Sequence, residues 1–174
     1  MNKKSLVSLE DIAESKVVVD IIIRVDAIDE FYVNTESEIL SKKQPFLISL
    51  LLGYRFDLNE FELEEVMKII FVIWEYFKKY DKVNKVKISK RVFEKKQKGN
   101  MQMLNSIEDN VDTNYKNDVI TSDLNNLKSK ALLVGVLSIF NHKKALIDLD
   151  EEKKDVIIIG MKSIIECFDD ILQK

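Results

Sequence analysis

The sequence predicts an all-α protein: a helical bundle of about six helices in a single domain over residues 1–174. Three observations carry that prediction. Glycine and proline number only 4 and 1 in 174 residues, where average usage would place roughly 12 and about 9. Neither Asn-Gly nor Asp-Gly, the strongest two-residue hairpin signals, occurs anywhere in the chain. Apolar residues recur instead at three- and four-residue spacing behind Asp- and Ser-led caps.

The hydrophobic share of 46% and charged share of 33% describe an ordinary globular chain, long enough to bury a substantial core. A net charge of −3 gives the whole molecule no bias toward nucleic acid or anionic lipid. The lone Cys167 has no partner for an internal disulfide. Every 18-residue window contains a charge, so no transmembrane helix is expected. The opening "MNKKSLVSLEDIAESK" lacks the apolar run of a signal peptide. These features lead us to expect a cytoplasmic protein that does not engage a membrane.

The first element is ambiguous on its face. In "KVVVDIIIRVDAIDEF", residues 16–31, Val17, Val19, Ile21, Ile23 and Val25 would line one side of a strand, and β-branched residues suit a pleated surface. A strand needs a partner, however, and the only similar run, "DVIIIG" at 155–160, is over a hundred residues away. A lone buried strand would leave its N–H and C=O groups unpaired. Upstream, Ser8 and Asp11 offer a capping box. Downstream, Val25, Ile28, Phe31 and Tyr32 follow helical spacing. We therefore expect a helix over 9–33. Its wide apolar surface calls for either a central position or a homodimer interface that includes Val18, Ile22 and Val25.

Further helices are expected over 36–54, 58–80, 84–106, 122–141 and 149–172. Pro45 fits the first turn of the apolar stretch "PFLISLL", where a missing N–H is harmless. Two of these helices look like copies. "DLNEFELEEVMKIIFVIWEYF" from Asp57 aligns without a gap on "DLDEEKKDVIIIGMKSIIECF" from Asp148, at an offset of 91. The cap tetrads coincide. Val66, Met67, Ile70, Ile73, Trp74 and Phe77 fall on Ile157, Ile158, Met161, Ile164, Ile165 and Phe168, one continuous helical stripe. The preceding "PFLISLL" falls on "ALLVGVL" at an offset of 86, so the second loop must be five residues longer. This predicts an internal duplication of two αα-hairpins, with halves at about 35–80 and 121–172.

Between the halves, residues 81–99 carry Lys82, Lys85, Lys87, Lys90, Arg91, Lys95, Lys96 and Lys98 against Asp81 and Glu94. On one continuous helix, Lys87, Lys90, Arg91 and Lys98 would share a face. Such a face is a candidate contact for phosphates or for an acidic protein partner, through Lys87, Lys90, Arg91, Lys95 and Lys98. No aromatic residue interleaves with these cations, so base stacking is not indicated. The commoner role of such a run is a solvated helix face. The Asn-, Asp- and Ser-rich stretch that follows predicts a connection around residues 108–122.

Residues for catalysis are sparse. His142 is the only histidine, in "FNHKKA", and it reads as a cap on the end of a helix. Asp26, Asp29, Glu30, Glu75 and Glu166 could face the interior, yet no Glu-x-x-His metal motif accompanies them. Cys167 has no histidine near it in sequence and reads as a structural thiol. We expect no catalytic, cofactor or metal set. The reading that remains is a non-enzymatic protein–protein interaction or assembly module. The alternatives are a nucleic-acid-associated factor using residues 82–98, and a carboxylate-based metal-dependent hydrolase.

Overall fold

The computed structural model describes residues 9–109 and 112–173, and all the regular structure among them is helical. The described residues form ten helices: α1 (Leu9–Asp26), α2 (Glu30–Lys43), α3 (Pro45–Tyr54), α4 (Glu60–Phe77), α5 (Asp81–Lys85), α6 (Lys90–Glu108), α7 (Thr113–Asn126), α8 (Lys130–His142), α9 (Lys144–Ile147) and α10 (Glu151–Gln173).

Local capping chemistry explains most of the additional breaks. The expected helix 9–33 divides because Asp29 caps α2, its carboxylate accepting the Tyr32 amide at 2.8 Å. The expected helix 36–54 divides at Gln44, which precedes Pro45 and is thereby held away from helical geometry. The expected helix 84–106 divides at residues 86–89, where Ser89 caps α6 through the Val92 amide. Residues 108–122 are largely not a loop: Asp112 caps α7, a helix with no buried residue. Ser8, half of the expected capping box, lies outside the described residues. Asn59 and Glu62 form a reciprocal capping box on α4.

α4 and α10 lie side by side and parallel: near their ends the rings of Phe77 and Phe168 stack 4.7 Å apart, and at their starts Leu58 and Asp150 line one cleft. Val66, Ile70, Ile73, Ile157, Met161 and Ile164 are buried with the two rings. Each such side chain contributes about 1.5–3 kcal/mol by leaving water. Three of the other long helices, α1, α6 and α8, run against this pair. Tyr76 near the end of α4 donates to Glu14 near the start of α1 at 2.5 Å, so α1 runs antiparallel to α4. Ser129 before α8 meets Asp169 near the end of α10, and Lys96 early in α6 meets Asp170 at 2.9 Å, so α8 and α6 also run antiparallel to α10. Tyr32 of α2 meets Phe71 and Glu75 of α4, and Glu36, one turn on, meets Trp74 and the following Lys78, so α2 and α4 run in parallel order.

α1 shows one face to the core and one to water. Val18, Ile21 and Val25 are buried, and Ile22 is half-buried. Val18 and Val25 are thus enclosed by the chain's own helices and are not available for the dimer interface expected of them. α8 comes close enough that a Cβ at Gly135 would meet the Val18 side chain at 2.5 Å. α1 nevertheless leaves Ile12, Val19 and Ile23 exposed at 46%, 52% and 62%.

Gly160 serves a similar close approach. A Cβ there would lie 2.2 Å from the Tyr54 hydroxyl, which is buried without a hydrogen-bond partner. Gly160→Ala should therefore destabilise the fold by about 2 kcal/mol in urea unfolding, through overpacking. Tyr54→Phe should be neutral or stabilising, since it removes an unsatisfied hydroxyl. The double variant should recover most of the loss; a loss equal to that of Gly160→Ala alone would contradict the contact.

Candidate functional site

Two surfaces stand out, and both are displayed by the helices around α4. The first is a groove of about 970 Å³ between α1, α2, α5 and the C-terminal end of α4. Val17, Ile21, Ile23 and Ile39 supply its apolar lining, and Asp20 and Arg24 of α1 also border it. The floor is polar. Trp74 Nε1 donates to Glu36 at 3.0 Å, and Lys78 Nζ donates to the other Glu36 oxygen at 3.1 Å. Lys78 also pairs with Glu75, which in turn accepts the Tyr32 hydroxyl. Burial pushes the Lys78 ammonium toward neutrality, but Glu75 and Glu36 more than reverse this and hold it above its ordinary range. Burial, reinforced by Glu75, keeps the Tyr32 hydroxyl protonated. Each side chain of this cluster has a partner, so it fixes α2 on α4 and leaves the apolar walls as the contact surface.

The second surface is basic. Lys87, Lys90, Arg91, Lys95 and Lys98 are all exposed. They do not form the single helical face expected from the sequence: Lys87 lies in the extended link 86–89, ahead of the Ser89 cap. Lys90 pairs with Glu94 at 3.6 Å, and Lys96 turns inward to Asp170. Gln44 positions this link. Its side-chain amide donates to the carbonyls of Val83 (2.7 Å) and Val86 (2.8 Å) and accepts the Ile88 amide at 2.9 Å. Gln44 is fully buried, so its bonds to the Val83 carbonyl and the Ile88 amide are shielded from water, while that to the Val86 carbonyl lies at the edge of the interior. This clamp holds the last turn of α2, with exposed Lys42 and Lys43, beside exposed Lys82, Lys85 and Lys87.

No protein-family model, curated protein or solved structure matches the chain.

The remaining sequence candidates fall at separate places. His142 Nδ1 donates to the Ser138 carbonyl at 2.7 Å, closing the end of α8. Cys167 is buried, and burial pushes its thiol up to about 12, far from a reactive thiolate. Asp26 pairs with Lys143, Glu75 with Lys78, and Glu166 with Lys162 at 2.8 Å, so these three carboxylates do not converge. Among the described residues no three His, Cys, Asp or Glu side chains are grouped to hold a metal ion.

Two buried polar networks escaped sequence reading. Lys162, 6% exposed, is bound by Asn100, Asp123 and Glu166, and Asn100 also donates to Ser163 at 3.0 Å. The signal was present: a lysine within the apolar stripe of α10, with Glu166 four residues on. Asp169 accepts both the Ser129 amide (3.1 Å) and its hydroxyl (2.7 Å), while burial raises the carboxyl above its ordinary range.

The clamp is testable. Gln44→Ala should cost about 3 kcal/mol in urea unfolding, because the buried Val83 carbonyl and Ile88 amide, and the part-buried Val86 carbonyl, lose their side-chain partner. The Ile88 amide should lose protection from hydrogen exchange. A cost below about 0.5 kcal/mol would show that the link is held by other contacts.

Proposed function

We propose that this chain is a non-enzymatic protein–protein interaction or assembly module, and that it forms a two-fold homodimer. The observation that carries this reading is the outer face of α1. Ile12, Val19 and Ile23 follow one another at helical spacing and are about half exposed, beside the apolar wall of the groove formed by Val17 and Ile39. Large apolar side chains exposed together along one helix mark an interaction surface, and a closed two-fold dimer is the commonest way to cover one. A protein partner presenting an apolar helix face is the other occupant this chemistry admits. The expected setting is the cytoplasm.

The proposed internal duplication fits the same picture of a helical scaffold. Four features support it. α3 and α8 each lead antiparallel into a long capped helix, and those two helices, α4 and α10, run parallel. Phe77 and Phe168, matched at the offset of 91, stack on each other, as residues beside a pseudo-two-fold axis would. Glu75 and Glu166, also matched, each pair with a lysine close in sequence, Lys78 just past α4 and Lys162 within α10. The longer second loop contains the short helix α9.

Light scattering at micromolar concentration tests the dimer. The chain mass is 20.3 kDa, so the reading predicts a particle of twice that mass. Val19→Asp with Ile23→Asp should return it to the single-chain mass with helicity unchanged. A single-chain mass at every concentration would remove the homodimer.

A further inference from the structure

We propose that the cationic end of the bundle binds the phosphate backbone of double-stranded nucleic acid. The net charge of −3 conceals a separation of charge along the helix axes. Asp57, Glu60 and Glu62 at the start of α4 and Asp150, Glu151 and Glu152 at the start of α10 form an acidic end, where Lys153 and Lys154 pair with Asp150 and Glu151. At the opposite end, Lys42, Lys43, Lys82, Lys85, Lys87 and Arg91 are exposed, and none of the six joins an ion pair among the described residues. Residues from two segments some forty positions apart make this surface, and the Gln44 clamp is what joins them.

Helix capping accounts for only part of the separation. Acidic first turns suit the positive ends of α4 and α10, and Lys42 and Lys43 suit the negative end of α2. Lys90 and Arg91 do the reverse: they crowd the positive end of α6 behind Lys87, with no acidic residue in that first turn. Such crowding opposes folding and is relieved by a bound polyanion.

The side-chain types point to phosphate in particular. Protein interfaces are depleted in lysine and enriched in arginine and aromatic residues, whereas five of these six cations are lysines. Lysine contacts phosphate oxygens as a point charge, positioning a duplex without reading its bases. Of the two aromatic residues nearest in sequence, Phe93 is buried, and Tyr80 is 36% exposed with the Lys79 ammonium 5.0 Å from its ring centroid. With that face covered, no stacking platform for unpaired bases is offered, which favours a duplex over a single strand.

The experiment is fluorescence anisotropy with a labelled mixed-sequence DNA duplex, titrated between 50 and 200 mM salt. We expect binding whose log K falls against log salt with a slope of about −5, from roughly −0.9 per neutralised phosphate. Shuffling the duplex sequence should change affinity less than two-fold. Lys42→Glu with Lys43→Glu, both exposed, should weaken binding about ten-fold or more and flatten the slope by about 2. Lys144→Glu with Lys153→Glu, at the acidic end, should change neither. Absence of duplex binding at 50 mM salt would overturn the proposal, as would binding that Lys42→Glu with Lys43→Glu leaves intact. Two other results would overturn it by naming a different occupant. One is binding to phosphatidylserine vesicles without binding to duplex. The other is self-association, without DNA, that Lys42→Glu with Lys43→Glu abolishes, which would place the acidic end of a second copy on this surface. The α1 dimer has its own variants and its own readout, so either proposal can fail alone.

Discussion

The contact on which the rest of the molecule depends is the parallel packing of α4 against α10, fixed where Phe77 stacks on Phe168. Parallel neighbours cannot be joined by a tight turn. The chain must travel the length of the bundle to bring α10 back beside α4, and α5 to α9 are that return path. The constraint places both N-termini of the central pair at one end, where Glu60, Glu62, Glu151 and Glu152 complement them. It also brings the α5–α6 link to the other end, beside the last turn of α2. The two surfaces assigned here therefore follow from the same pairing of two buried helices.

Around that pair, two lysines enter or approach the interior between carboxylates of neighbouring helices. Lys162 lies among Asn100, Asp123 and Glu166 on one flank, and Lys78 lies between Glu36 and Glu75 on the other. Breaking such a pair strands a buried charge and is far more costly than the pair's net contribution to stability. Each network joins neighbouring helices, α6 and α7 to α10 in one case and α2 to α4 in the other. Apolar stripes alone would tolerate sliding by a turn; these polar pairs do not, and in that way they set the register of the bundle. Glu14 is held above its ordinary range chiefly by burial, where it accepts the Tyr76 hydroxyl, and it ties α1 to α4 by the same logic.

The all-helical fold was legible because it depends on period and turn chemistry, both local. The stripe of Val66, Ile70, Ile73 and Phe77 and that of Ile157, Met161, Ile164 and Phe168 are buried as the spacing implied. Helix boundaries were less legible. Asp29 and Ser89 look like ordinary polar residues inside longer periodic runs, and only the caps they form reveal the breaks. α1 misled for a related reason. Val and Ile surround it on nearly all sides, so the sequence could not say which face a neighbour would cover; α8, closing on Val18 at Gly135, decided that. The basic end was half legible. Lys87, Arg91 and their neighbours are contiguous, but Lys42 and Lys43 join them only through Gln44, a side chain with no signature until its three partners are in place.

The most direct test of the central claim is a double-mutant cycle on Phe77 and Phe168, read by urea unfolding. If the two rings support one another at the α4–α10 seam, Phe77→Ala and Phe168→Ala should be non-additive, with a coupling of about 1 kcal/mol or more. Costs that add to within about 0.3 kcal/mol would contradict it, since that is the behaviour of residues that do not touch.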